Sequence, residues 1–275
     1  MRIAGIIAEY DPFHNGHEAH IAATKAESGG NATHIVAVIS GSFTQRGEPA
    51  LLSKYHRAEM ALSCGADLVL ELPLPWAMAP AEHFATGGVS ILQALGCVDL
   101  LSFGSECGDI TLLNMLANVA KEPAYQATLK QTLTEGIPYA AASQTAAEAV
   151  IGQEAASALA SPNNTLGIEY IRATTELNAH WDFFTLQRQG VSHNDMRATD
   201  AFASASLLRE SIRRGDESQL DSYMPANAAS LARSACSHGE VTTHVQRLEN
   251  ALMAHLRRLT GECYSSLPWL SEGLE

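Results

Sequence analysis

Between residues 3 and 103 the chain alternates short apolar runs with stretches of helical character, and this alternation narrows its architecture more than any other feature. Ile3 to Ala8 (IAGIIA) is continuously apolar with β-branched members, the pattern of a strand buried on both faces. Thr33 to Ser40 (THIVAVIS), Asp67 to Leu72 (DLVLEL) and Val98 to Phe103 (VDLLSF) repeat it. His17 to Glu27, Ser53 to Cys64 and Ala81 to Leu95 lie between them and read as helices, the last two stopped by Gly65 and Gly96. Strand, helix, strand in this rhythm predicts an α/β class chain: a doubly wound, Rossmann-like parallel sheet flanked by helices, with right-handed crossovers.

From Ile110 to Ala160 the text turns Ala-, Gln- and Thr-rich, which predicts a helical insert. SPNN (Ser161 to Asn164) then caps a further helix to about Thr175, with Pro162 at a favoured first-turn position. Asp182 to Arg188 reads as a fifth strand, and Ser204 to Arg214 as a helix. Val241, Val245, Leu248, Leu252, Leu256 and Leu259 recur at helical spacing and predict one amphipathic helix. The expected division is an α/β domain over residues 1–215, with the insert at 110–160, and a short helical C-terminal tail over 216–275.

Composition removes several function classes. A chain of 275 residues with 46% hydrophobic and 17% charged residues supports a substantial core. The net charge of −13 argues against a surface coated in basic patches for polyanions, though not against a local basic groove. The five cysteines form no C-x-x-C pair and no secretory leader precedes them, so reduced thiols in a cytoplasmic protein are expected. No apolar run approaches a membrane span, and no membrane partner is expected.

The chemistry concentrates in EYDPFHNGHEAH, Glu9 to His20. This segment follows the first strand and opens the first helix, where open α/β sheets bind ligands and a helix presents free N–H groups to an anion. His14 and His17 would add hydrogen bonds to developing charge on a phosphate, with His20 one turn further along the same face. Two other readings stand beside this phosphate cradle. One is a zinc site, for which H-x-x-H spacing lacks nearby Cys or acidic partners; the other is surface or capping histidines. A second anion site is suggested by Ser204 and Ser206 at a helix start with Arg209 in the second turn, although Ser204 reads equally as a simple N-cap. Together the two segments have the layout of nucleotidyltransferases with H-x-G-H and [ST]-[ST]-[ST]-x-x-R signatures, with Ala205 replacing the middle hydroxyl.

Longer blocks carry a closer resemblance. EYDPFHNGHEAH, SGSFTQRGEPALLSKYHRAEMAL, GADLVLELP, FGSE and SPNNTLGIEYI, in this order, resemble the tRNA(Met) cytidine acetate ligase family of the HxGH nucleotidyltransferase superfamily, from Met1 to about Arg214. The resemblance implies a nucleotidyltransferase fold and an ATP-dependent ligase reaction. Acetate is adenylated with release of pyrophosphate, and the acetyl group passes to N4 of the wobble cytidine of elongator tRNA(Met). It places ATP along Ile7 to His20, including Ile7, Glu9, Tyr10, Asn15, Gly16 and His20, and at Gly104, Asn163 and Arg188. Charge building on the phosphoryl oxygens and the leaving pyrophosphate makes His14, His17, Ser204, Ser206 and Arg209 the expected catalytic contacts to the phosphates. Mg2+ is expected with ATP, and acetate or a similar small carboxylate and tRNA are the expected partners. Few basic residues follow Arg214, so an adenylyltransferase acting on another small acid or phosphate acceptor without tRNA is the alternative, and a nucleotide-binding regulator without turnover a third reading. Arg46 and Lys54 suit phosphate, RNA or a loop ion pair with Glu48 or Glu59. Glu71 and Glu106 suit a capped core carboxylate or a pocket acid. His193, Asn194 and Asp195 suit a solvated turn or a lid contact.

Overall fold

The structure is a computed structural model that describes residues 1–188, 204–242 and 245–266. The His193 to Asp195 loop lies outside the described residues. Five strands, β1 (Ile3–Ala8), β2 (His34–Ser40), β3 (Leu68–Leu72), β4 (Leu100–Ser105) and β5 (Asp182–Gln187), form one parallel sheet in the order β3-β2-β1-β4-β5. The fold is the Rossmann-like one that the alternation predicts. The third and fourth strands start later than the sequence suggests because their leading aspartates serve the neighbouring strand. Asp67 Oδ2 accepts from Ile35 N at 2.8 Å, and Asp99 Oδ2 accepts from Ile3 N at 2.8 Å.

Helices α1 (Asn15–Lys25), α2 (Lys54–Ser63), α3 (Leu74–Ala77) and α4 (Ala81–Ala94) connect the first four strands. The predicted insert is α5 (Ile110–Val119), α6 (Pro123–Thr134), α7 (Tyr139–Ile151) and α8 (Gln153–Ala156), closed by a 3-10 turn over Ser157–Ala160. It keeps a small core of its own around Val119, Tyr125, Ala146 and Ala156. Helix α9 (Pro162–Glu176) returns the chain to β5.

Period-two alternation sends each central strand into two cores. Ile35, Ala37 and Ile39 of β2 join Ile6, Ile21, Met60 and Leu208 on one face, while Val36 and Val38 join Ile7, Phe84, Leu92, Leu101 and Ile168 on the other. Gly5 lets α4 pack closely on β1, since a Cβ there would meet Leu92 Cδ1 at 2.5 Å and push that side chain aside.

After α10 (Ala205–Arg213) come α11 (Leu220–Tyr223) and α12 (Ala226–Ser237). Leu220, Met224, Ala228, Ala229, Ala232 and Ala235 are buried in the first of the two cores, so this stretch completes a face of the sheet. The sequence pattern missed α12 because alanines, not large apolar residues, make its buried stripe. The predicted amphipathic helix is shorter than its spacing suggests. Thr242 N donates to Leu51 O at 2.8 Å and Val241 packs on the main core; a 3-10 turn, Val245–Leu248, then leads into α13 (Glu249–Leu256), with α14 (Gly261–Ser265) beyond. Leu248, Leu252 and Leu256 are exposed on it. Among the described residues no helix is long and apolar enough to cross a membrane.

Candidate active site

A cavity of about 400 Å3 opens at the carboxyl ends of the strands, within the range of small-ligand sites. Its floor is the end of β1. Ile7 and Glu9 line it, and the chain then turns at Tyr10, whose φ of 51° is unusual for a bulky side chain. Tyr10 is buried under the histidines, with ring centroids 4.9 Å from Phe13 and 4.8 Å from His17.

The two signature histidines cap the helix that carries them. His14 Nδ1 accepts from Gly16 N at 3.1 Å, and His17 Nδ1 accepts from His14 N at 3.2 Å, a reciprocal capping box. Because backbone N–H groups only donate, both rings must carry their proton on Nε2. They stack with centroids 3.7 Å apart. The capping alternative and the cradle are therefore not rivals: capping through Nδ1 is what fixes Nε2–H as the donor. Among the described residues no group of three or more metal-binding side chains converges.

His20 also lines the cavity, but its ring belongs to an internal relay. Thr24 Oγ1 donates to His20 O, and so accepts from Ser102 Oγ at 2.7 Å; Ser102 in turn accepts from His20 Nε2 at 2.8 Å. Burial, with a smaller push from the Arg188 charge, lowers the His20 pKa to about 4, so the ring is neutral at physiological pH.

The Arg209 jaw is bolted to the histidine turn. Arg209 Nη1 donates to Asp11 O at 2.7 Å and Nη2 to Ser206 Oγ at 3.0 Å. Ser204 Oγ accepts from Leu207 N at 3.1 Å, the N-cap of α10. Ser204, Ala205 and Arg209 line the cavity, whereas Ser206 is off the wall and orients the guanidinium. Asn15 is also off the wall: its side-chain amide donates to Ser222 O at 3.0 Å, as its position on the first turn of α1 turns it away from the strand ends.

On the opposite side, Gly104, Asn163 and Arg188 line the cavity together. A Cβ on Gly104 would stand 3.5 Å from Arg188 Cγ, so neither backbone nor neighbour demands glycine; a larger side chain would simply enter the cavity. Asn163 is held by Glu106, whose Oε1 accepts from Asn163 N at 3.2 Å and from Asn163 Nδ2 at 2.7 Å, while Oε2 accepts from Asn164 N at 2.8 Å. Asn164 Oδ1 returns the contact to Glu106 N and Cys107 N. Glu106 is thus the cap of α9. Ser161 occupies the N-cap position and Pro162 the first turn, but the Ser161 hydroxyl makes no capping bond.

Three further residues sit where the sequence left them open or unmentioned. Arg46 lines the cavity. Lys54 pairs with Glu71 at 2.5 Å, not with Glu48 or Glu59, and neither partner is on the wall. Arg57, unnoticed in sequence, is fully buried and donates to Leu52 O, Glu9 O, Ser40 O and Gly41 O, tying the ends of β1 and β2 together. Nothing in a helical KYHRAEM run distinguishes this arginine from a solvated one. Phe84, Phe103 and Tyr170, which the sequence reading did not single out, supply apolar wall.

A family profile described as HIGH Nucleotidyl Transferase matches residues 1–275. The tRNA(Met) cytidine acetate ligase of Acetivibrio thermocellus is 38% identical over 283 residues, covering 100% of this chain and 68% of the relative. That of Syntrophotalea carbinolica is 44% identical over 239 residues, covering 86% of this chain and 56% of the relative. The crystal structure of Thermotoga maritima TmcAL in its apo form matches with a TM-score of 0.93 and 31% identity, covering 99% of this chain and 66% of that one. The same protein bound with alpha-thio ATP matches with a TM-score of 0.89 and 30% identity. The chain therefore spans about two thirds of the length of these relatives, or less. It belongs to the HIGH nucleotidyltransferase family and, within it, to the tRNA(Met) cytidine acetate ligases.

Proposed function

We propose that this chain activates acetate with ATP as acetyl-adenylate and transfers the acetyl group to N4 of the wobble cytidine of elongator tRNA(Met), in the cytoplasm. The observation that carries the reading is the pairing of two donor sets in one cavity. His14, His17 and Arg209 stand at the α1 end, and Gly104, Asn163 and Arg188 at the other. ATP spanning them puts its triphosphate on the histidine turn and its nucleoside on the asparagine wall.

Attack of a carboxylate on the α-phosphorus builds charge on the phosphoryl oxygens and on departing pyrophosphate. Catalysis is then mostly positioning and electrostatics. The Nε2–H donors and the Arg209 guanidinium, held before substrate arrives, meet that charge without reorganisation. Gly104 leaves room for the adenosine. Asn163, with its amide N–H on Glu106, presents its carbonyl oxygen as the acceptor for a nucleoside N–H or hydroxyl. Mg2+ bound to the phosphates would neutralise part of their charge, held by phosphate oxygens and water without a dedicated protein cage.

The test is acetate-dependent exchange of labelled pyrophosphate into ATP, followed by detection of N4-acetylcytidine in elongator tRNA(Met). The net charge of −13 favours one second reading, adenylylation of a different small acid or phosphate acceptor without tRNA. Exchange stimulated by another acid, with no acetylated tRNA, selects it.

A further inference from the structure

The resemblance assigns Glu9 to ATP, but its surroundings fit a different partner. Glu9 is a carboxylate at the end of the central strand, on the cavity wall. Its Oε1 accepts from Gln45 N at 2.7 Å, while Oε2 makes no hydrogen bond among the described residues. Neither nearby arginine is hydrogen-bonded to its carboxylate: Arg57 donates to the Glu9 backbone carbonyl and to three others, and Arg209 donates to Asp11 O and Ser206 Oγ. An ionised carboxylate only accepts hydrogen bonds, so it repels a triphosphate and suits an N–H or O–H group. The sheet order decides which one. The nucleoside wall comes from β4, α9 and β5, on one side of β1. Gln45 and Arg46, from the loop after β2, line the other side. Glu9 stands between them and is tied to the second. What that side offers is a place for the group that receives the acetyl.

We propose that Glu9 is the general base of the transfer step, its cavity-facing oxygen taking the proton that leaves the N4 amine of the acceptor cytidine. This rests on the acetyl-transfer reading above. The nitrogen lone pair attacks the acetyl carbonyl carbon and a C–N bond forms. The bond from that carbon to the phosphate oxygen breaks, and AMP departs with the electron pair. One N4 proton passes to the Glu9 carboxylate, which later releases it to solvent. The groups facing Glu9 are Asp11 on its own turn, Arg57 of α2, Arg209 of α10 and Tyr170 of α9. Burial outweighs the Gln45 hydrogen bond and the two arginines and pushes its carboxyl above the usual range, towards the working pH that suits a base.

The experiment uses the full chain, synthetic acetyl-adenylate and an elongator tRNA(Met) transcript, following single-turnover acetyl transfer from pH 5.5 to 8.5. A parallel assay follows ATP formation from acetyl-adenylate and pyrophosphate, which involves no acceptor. Glu9→Gln should slow transfer by about 100-fold or more and remove its acidic limb, while slowing ATP formation far less. Glu9→Asp, which keeps a carboxylate, should recover part of the transfer rate and the limb. Equal losses in both assays, or transfer in Glu9→Gln with the wild-type pH profile, would overturn the assignment. If the wild-type chain acetylates no cytidine although it forms ATP, the acetyl-transfer reading falls, and the role of Glu9 falls with it.

Discussion

The histidine turn and the asparagine wall close opposite ends of one cavity, yet they are built in different ways. At the turn, His14 and His17 are placed by bonds to residues no more than three positions away, within α1 and its cap. At the wall, Asn163 is placed by Glu106, 57 residues earlier, across the whole helical insert. The turn would keep its donor geometry wherever a buried strand fed such a helix. The wall exists only once β4 and α9 have docked. Local construction fixes the donors of the turn, the end proposed for the triphosphate; long-range construction lets the wall, the end proposed for the nucleoside, respond to packing elsewhere.

The strongest way to break the turn is His17→Ala. Loss of one preorganised donor should slow acetate-dependent pyrophosphate exchange by about 100-fold or more. The stability loss should stay near 1 kcal/mol, the scale of a lost helix cap, as the bond to His14 N, the stacking on His14 and the ring contacts to Tyr10 and Phe13 go with it. Thermal melts together with exchange rates check both halves. A large drop in melting temperature with exchange intact would make the histidine a structural cap alone.

Arg57→Met tests what supports both ends. It leaves buried carbonyls of Glu9, Ser40, Gly41 and Leu52 without their donor, and should destabilise by on the order of 3–5 kcal/mol. Urea unfolding measures it. A change under about 1 kcal/mol would mean that water replaces the guanidinium and that the strand ends need no clamp.

Much of this contrast is legible in the sequence. Apolar runs marked the first four strands, the more mixed stretch Asp182 to Arg188 read as the fifth, and the position of H-x-G-H after the first run placed the turn at the strand ends. What the sequence left open at Glu106, and did not signal at Arg57 or in α12, has a common cause. Glu106, Arg57 and the alanine stripe of α12 act through partners far away in sequence, and periodicity reports only which face is apolar. The resemblance put Asn15 in the ATP stretch and the second motif put Ser206 against the phosphates, whereas helix geometry turns the Asn15 amide to Ser222 O and gives the Ser206 hydroxyl to Arg209.

Glu106→Ala should loosen the wall while sparing the turn. Two N-terminal N–H groups of α9 and the Asn163 amide lose their acceptor, costing about 1–2 kcal/mol of stability. The KM for ATP should rise about 10-fold, equivalent to about 1.4 kcal/mol of binding, with a smaller change in kcat for exchange. An unchanged KM would separate Asn163 from the nucleotide.

His20 links the two ends, since its ring lies on α1 while its proton is held by Ser102 of β4 and its charge is disfavoured partly by Arg188. Its pKa of about 4 lies below the value near 6.5 of an unfolded chain. Between those values the unfolded state binds more protons, so stability is lost as pH falls through that window. At pH 5 the loss is about 2 kcal/mol relative to pH 7. Glu9 and Asp11, both raised by burial, act in the opposite direction, but equally in wild type and in His20→Gln. The difference between the two proteins therefore isolates the ring: urea unfolding at pH 7 and pH 5 should show a steeper acid loss in wild type. Parallel losses would mean that the ring protonates in place, and that the two ends of the cavity are not coupled through it.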